Sequence, residues 1–299
     1  MEYYNIYKAE INSLEEYLRF IKDYYEKSNQ EIWYRGHWSD TWELKPNLYR
    51  NAEMITGTED KITVLQYNFV NFKNEFLKLK DEIISKNLFD ISGLNNFHIM
   101  FIAQHYGLLT PILDWTTDPL VALFFALDGE CHQEEDFPVI YILKPCLSNA
   151  HSNLCYSDKK IFENPICIDN TDKLFNMLTD DLNNTPANHV PIAIFSKLDF
   201  SHRICKQSGK FTLHGAVGPL NYAWNDITIR DEKFVDRIKI NINAIKEIKE
   251  YLSALNINKD TIYRGISTPL DNICDNIKKQ ELEIFKESIA RANKAFVQD

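Results

Sequence analysis

The stretch from Leu120 to Asp128 constrains this chain more than any other. Apolar residues follow one another there almost without interruption, so a helix has no polar face to turn to water and must be buried. Asp118 has the short carboxylate of an N-cap, Pro119 suits the first helical position, and Gly129 closes the element. A short apolar strand ends just before this helix, and Pro138 to Leu143 reads as another strand after it. Strand, buried helix, strand is a succession that needs a sheet for the helix to pack on. The predicted fold class is α+β, a central mixed sheet flanked by helices.

Other elements follow from local pattern. Ser13-Leu14-Glu15-Glu16 has the form of a capping box, and Leu14, Tyr17, Leu18, Ile21, Tyr24 and Tyr25 recur at helical spacing, predicting a helix from Leu14 to Glu26. Ile32 and Tyr34 alternate with Trp33 and Arg35 up to Gly36, which suits a strand. A long structural helix is expected from Lys61 to Ile84, and a shorter one from Gly93 to Tyr106 with Gly107 as its left-handed terminator. Asp128 to Asp136 reads as a solvated loop, and Lys144 to Asn188 as polar decoration with one helix near Asp172 to Leu182. Val190 to Phe195, Lys210 to His214 and Arg237 to Ile242 are expected strands, and Asn243 to Leu255 an amphipathic helix. The expected organisation is an N-terminal helical arm over 1–30, a core over 31–225 and a strand-helix extension over 226–299.

Composition narrows the classes of function. Against 43 Asp and Glu stand 33 Lys and Arg, a net charge of −10 that repels nucleic acid and anionic membrane at long range. The longest dense apolar run, Leu120 to Leu127, is far below the roughly 20 residues that span a bilayer. With no basic and apolar leader at Met1-Glu2-Tyr3-Tyr4, a cytoplasmic location without membrane contact is expected. Six scattered cysteines lack C-x-x-C spacing, which argues for reduced thiols and against a zinc knuckle. Spacings for a metallohydrolase, a Walker loop or a nucleophile elbow are absent, and no metal is expected.

Two strings concentrate polar chemistry next to ordered elements. One is Gln104-His105-Tyr106-Gly107, leading to Leu113-Asp114-Trp115-Thr116-Thr117 before the buried helix, whose free N–H groups favour anions. The other is Trp33-Tyr34-Arg35-Gly36, a cation carried on a strand. Arg35 either pairs with Asp114 as a structural bridge or grips a ligand, and these roles are compatible because an Arg held by Asp114 is also pre-oriented. His105 is either a hydrogen-bonded histidine near the core or a general base.

Tyr34-Arg35-Gly36, then Trp42-x-Leu44-x-Pro46-x-Leu48-x-Arg50, Gln104 to Gly107, Leu113 to Thr116, and Arg203-Ile204-x-x-Gln207-x-Gly209-x-Phe211-Thr212 together resemble the ordered signature of the FRG-domain family. The resemblance spans residues 31–215. One departure is Thr110-Pro111-Ile112-Leu113-Asp114-Trp115-Thr116, where the family pattern has a basic residue after the first threonine. A looser resemblance is to the site of ADP-ribosyltransferases, and it implies a core of that kind with NAD as substrate. Carried over, Arg35 with Tyr34 and Gly36 corresponds to the dinucleotide grip, and Thr116 and Thr117 beside Trp115 to the hydroxyls at the nicotinamide ribose. His105, Asp114 and Gln207 are then the catalytic candidates, Gln207 standing where that family has a glutamate.

The resemblance implies a nucleotide ligand, ADP-ribosyl transfer or NAD glycohydrolysis, and a protein or nucleic-acid acceptor. It also associates the chain with bacterial phage-conflict proteins. A catalytically silent sensor or interaction module, its motif residues holding the fold together, is the alternative; a metal-independent nuclease using His105 ranks below both because the chain is acidic.

Overall fold

A computed structural model describes residues 8–50, 61–88, 90–129, 136–155, 164–169, 175, 191–198, 209–215, 228–229, 232–263 and 269–296. The chain divides into two units, each assembled from three segments. A sheet unit takes Met1–Leu44, Leu113–Cys167 and Asn183–Arg264, and a helical unit takes Lys45–Ile112, Ile168–Leu182 and Gly265–Asp299.

The strands are β1 (Glu10–Ile11), β2 (Trp33–His37), β3 (Ile112–Thr116), β4 (Val139–Leu143), β5 (Ile166–Cys167), β6 (Ile192–Phe195), β7 (Gly209–Leu213) and β10 (Val235–Ile240), with a separate pair β8 (Thr228–Ile229) and β9 (Glu232–Lys233). Eight of them form one sheet in the order β1-β10-β4-β2-β3-β7-β6-β5. Pairing is parallel for β1 with β10 and for β5 with β6, and antiparallel for β10 with β4, β4 with β2, β2 with β3 and β6 with β7. The sheet is therefore mixed, and with its helices the fold is α+β as predicted.

Strand β4 explains the layering. All five of its residues, Val-Ile-Tyr-Ile-Leu, are buried, as befits a strand covered on both faces. Ile140 and Ile142 join a core with Tyr17, Ile21, Val121, Leu123 and Leu127, whereas Val139, Tyr141 and Leu143 join another with Trp33, Leu113, Trp115 and Phe234. The first core is closed by helices α1 (Leu14–Ser28) and α5 (Pro119–Leu127). Ser13 caps α1 by accepting the Glu16 N–H at 3.2 Å, and the left-handed Asn29 (φ 48°) ends it. Six of the nine α5 residues are buried, which at roughly 1.5–3 kcal/mol per large apolar side chain makes α5 a major source of stability.

The predicted elements recur with shifted ends. The expected strand to Ile242 stops at Ile240, because the Asn241 side chain accepts the Asn243 N–H and starts a 3-10 turn over Ile242–Ala244; helix α7 (Ile245–Ala254) continues from it, followed by α8 (Lys259–Ile262). Some of the helices were not expected from the sequence. Residues read as polar decoration form α6 (Pro145–Cys155), in which Ser148, Asn149 and Ser152 are fully buried. Asn149 accepts the Ala193 N–H at 2.6 Å and donates to Ala193 O at 3.1 Å, while Ser148 donates to Pro191 O at 2.7 Å. Polar side chains here bond the backbone of Pro191 and Ala193 at the start of β6, so the helix is buried without being apolar. The helix expected near 172–182 and most of the loop expected over 128–136 lie outside the described residues.

In the helical unit, α2 (Asn47–Arg50), α3 (Lys61–Ser85), α4 (Asn96–His105) and α9 (Pro269–Phe296) surround an aromatic core. Phe76 and Phe97 both meet the ring of Phe175, at 5.1 and 5.6 Å between centroids. Helix α4 begins three residues later than expected, since Asn95 and His98 form a reciprocal capping box.

Candidate functional site

Alternation along β2 divides the expected site residues between the two faces of the sheet. Trp33, Arg35 and His37 point to the Trp115 and Tyr141 layer, and Tyr34 and Gly36 to the α5 layer. Arg35 is largely buried, with 18% of its side chain exposed. Its Nε donates to His37 Nε2 at 2.9 Å and its Nη1 to the Asp114 carbonyl at 2.6 Å. The Asp114 carboxylate is 3.9 Å from Nη1 and 43% exposed, so the main link between β2 and β3 here is to backbone and the ion pair is secondary.

His37 must be neutral at Nε2 to accept from a guanidinium. A second histidine two strands away is also neutral. His214, buried at 1% exposure, is pushed down to about 3, first by burial and then by the Arg35 charge. Trp115 Nε1 donates to Thr212 Oγ1 at 2.9 Å, and that hydroxyl lies 3.0 Å from His214 Nε2, to which it can donate. His37 meets the Tyr141 ring edge-on at 5.1 Å. Arg35 is thus a permanent cation that donates to two neutral groups, His37 Nε2 and the Asp114 carbonyl.

On the other face, α5 lies directly on β2. A Cβ on Gly36 would stand 2.0 Å from Ala122 O and 2.4 Å from Ala126 N, so only glycine allows this approach. Thr116 lies opposite Tyr34, and its hydroxyl accepts the Asp118 N–H at 3.0 Å. The Asp118 carboxylate accepts from Leu120 N at 2.8 Å and Val121 N at 3.3 Å. The helix N-terminus expected to favour an anionic ligand is therefore already served by the chain's own carboxylate. Thr117 is placed differently. With Tyr34, Lys22, Tyr25 and Glu31 it borders an open cleft of about 560 Å³ between α1, the start of β2 and the start of α5. Glu31 Oε1 accepts from Trp33 Nε1 at 2.9 Å, and burial followed by Tyr25 pushes the Tyr34 phenol up to about 12.

Gln104 to Gly107 belong to the helical unit, where they end α4 and enter a loop held at many points. The Thr110 hydroxyl donates to Gln104 Oε1. Asn47 donates to Leu108 O and accepts from Thr110 N, both at 2.8 Å, pairing with the loop as a strand would. Lys278 donates to Tyr106 O at 3.2 Å, Glu75 accepts from Leu109 N at 2.9 Å, and Gly107 is left-handed at φ +73°. His98 is fully buried; its Nδ1 accepts the Asn95 N–H at 3.0 Å and its Nε2 lies 3.1 Å from Asp169.

Of the residues expected to converge, Arg35 and Asp114 meet. His105 belongs to the helical unit, and Gln207 lies outside the described residues. Sequence reasoning did not single out His37, His214, Glu31 or Glu75. The signal for the histidines was present, since each stands two residues beyond a motif residue, Arg35 or Thr212, on the same strand face. Among the described residues no group of three side chains is arranged to hold a metal ion, and no helix is long and apolar enough to cross a membrane.

The sheet unit is thus an α+β arrangement with a largely buried arginine on β2. Residues 30–135, about a third of the 299 residues, match the model of the FRG domain. The match includes the strings around Arg35, Gln104 and Asp114 and ends before Arg203 to Thr212. Neither the curated proteins nor the solved structures compared with the chain returned a match.

Proposed function

We propose that the sheet unit binds a nucleotide of the NAD type in the cleft bordered by Tyr34 and Thr117, and acts on it by ADP-ribosyl transfer or NAD glycohydrolysis. One observation carries the reading. Two side chains marked as ligand-binding by sequence, Tyr34 and Thr117, share an open cleft of about 560 Å³, within the range of roughly 300–1,000 Å³ for small-molecule sites. Its wall offers what a nucleotide needs: tyrosines for a planar base, the Lys22 ammonium for phosphate, and the Thr117 hydroxyl for a ribose diol. In either reaction the bond from ribose to nicotinamide breaks, its electron pair leaves with nicotinamide, and positive charge develops on the sugar. Arg35 then acts as a brace of β2 against β3.

The second reading, a catalytically silent interaction module, is favoured by the hydrogen bonds that Arg35, Trp115, Thr116 and Gln104 devote to the fold itself. Calorimetry with NAD and incubation with labelled NAD, with and without an acceptor extract, separate the two. Under the first reading NAD binds and nicotinamide is released, and Thr117→Ala weakens binding roughly two- to tenfold by losing one hydrogen bond. Absence of binding at millimolar NAD, with no label transferred under any condition, would leave the module reading standing alone.

A further inference from the structure

Helix α1 supplies one wall of the cleft, through Leu18, Ile21, Lys22 and Tyr25, and the start of α5 supplies another, through Thr117 and Pro119. A hydrogen bond joins these walls from behind. Tyr17, whose neighbours on the helix Leu18 and Ile21 line the cleft, is itself fully buried, and its hydroxyl donates to the Pro119 carbonyl at 2.7 Å. Phenylalanine would fill the same apolar place. A buried hydroxyl costs free energy unless it is bonded, so this bond is what the tyrosine is there to make.

The α5 side of the bond is fixed in turn. Asp118 stands between Thr117 and Pro119; its N–H donates to Thr116 Oγ1 at 3.0 Å and its carboxylate accepts from Leu120 N and Val121 N. Where the Thr117 hydroxyl stands relative to α1 therefore depends on the contact at Pro119. Helix α1 is anchored elsewhere by Tyr24, which donates to the buried Asp236 carboxylate on β10 at 2.6 Å, and that bond does not set its approach to α5. Apolar packing between α1 and α5 is non-directional, whereas a hydrogen bond weakens steeply with angle and distance. Burial, then the Tyr34 phenol and the Asp118 carboxylate, raise the Tyr17 phenol well above its ordinary range, so it stays a donor near neutral pH.

Resting on the nucleotide reading of the cleft, we propose that Tyr17 is its positioning residue: without touching the ligand, its hydroxyl sets the gap between α1 and the start of α5, and nucleotide affinity depends on that gap. Both walls must meet one ligand, Lys22 reaching phosphate from α1 and Thr117 reaching ribose from α5. A wall left to drift would have to be ordered at the moment of binding, at a cost in affinity.

Calorimetry with NAD on the full chain compares Tyr17→Phe with Tyr263→Phe. Both variants keep the ring and delete a phenol bonded to one end of α5, but Tyr263 donates to Asp128, at the end away from the cleft, at 2.7 Å. Tyr17→Phe should weaken NAD binding roughly three- to tenfold, and Tyr263→Phe should leave it within about twofold, while thermal melts fall in both. Wild-type protein that binds NAD, with Tyr17→Phe binding equally well, overturns the positioning role and leaves the nucleotide reading intact. Equal losses in the two variants overturn it as well, because the effect is then one of α5 stability. Wild-type protein that does not bind NAD removes the reading and the proposal together. Should Tyr17→Phe fail to fold, a ring-fluorinated tyrosine at position 17, which keeps the hydroxyl, gives a second measurement: its fluorine NMR signal should shift as NAD saturates the protein, and a signal unmoved by bound NAD overturns the proposal.

Discussion

Each unit buries ionisable groups, and one from each, Arg35 and Glu75, shows the conflict resolved in opposite ways. In the sheet unit the group is Arg35, which cannot shed its charge; the surroundings adapt, with His37 Nε2 accepting from it and His214 held neutral down to about 3. In the helical unit the group is Glu75, which can be neutralised and is, up to about pH 7. The difference teaches what kind of pH response each unit has. A histidine held neutral contributes stability that is present above 6.5 and lost as pH falls toward 3. A glutamic acid held protonated contributes stability that is present below 4.5 and lost as pH rises to 7. Between pH 6.5 and 4.5 acidification weakens the sheet unit through His214 and strengthens the helical unit through Glu75.

The strongest way to break this comparison is to disturb the packing that keeps the Arg35 strand in place. Gly36→Ala puts a methyl 2.0 Å from the Ala122 carbonyl, a backbone atom that cannot move without the whole of α5. A loss of about 4 kcal/mol or more in denaturant melts is expected, and a variant within about 1 kcal/mol of wild type would mean that α5 does not rest on β2.

Arg35→Met sharpens the same comparison. It leaves His37 Nε2 and the Asp114 carbonyl without their donor, costing about 2–4 kcal/mol near neutral pH. His214 then loses its repelling neighbour, so its titration by NMR should move upward from about 3 yet stay below 6.5, because burial is the larger cause. A wild-type His214 titrating near 6.5 would remove the contrast between the units altogether. The smallest effect is expected at Asp118. Asp118→Ala uncaps the Leu120 and Val121 N–H groups and should cost about 1 kcal/mol, without altering either pH response.

Much of the fold was legible because its signals are local. Asp118-Pro119 announced α5, alternation announced β2, a short apolar run announced β4, and Gly107 announced the end of α4. Helix α6 was illegible for a definite reason: Ser148, Asn149 and Ser152 read as solvent-loving, and only the edge of β6, about 40 residues further on, turns them into buried donors and acceptors. Of the expected site, one contact was legible in the sequence and little of the geometry. Arg35 beside Asp114 was foreseen; that their link runs mainly to a backbone carbonyl, and that Tyr34 and Thr117 face a cleft on the opposite side of the sheet, was not.

Sequence alone determined the periodicities, caps and turns, and through them the α+β class and the FRG resemblance, because each depends on neighbours within a few residues. Tertiary structure alone decided which polar groups became dry and what charge they carry there. Tyr17 finds its acceptor at Pro119, Glu75 finds a donor at Leu109 and an opposing charge at Glu281, and His214 finds Arg35. Desolvation and charge balance are sums over everything that packs around a group, and those neighbours arrive from distant parts of the chain.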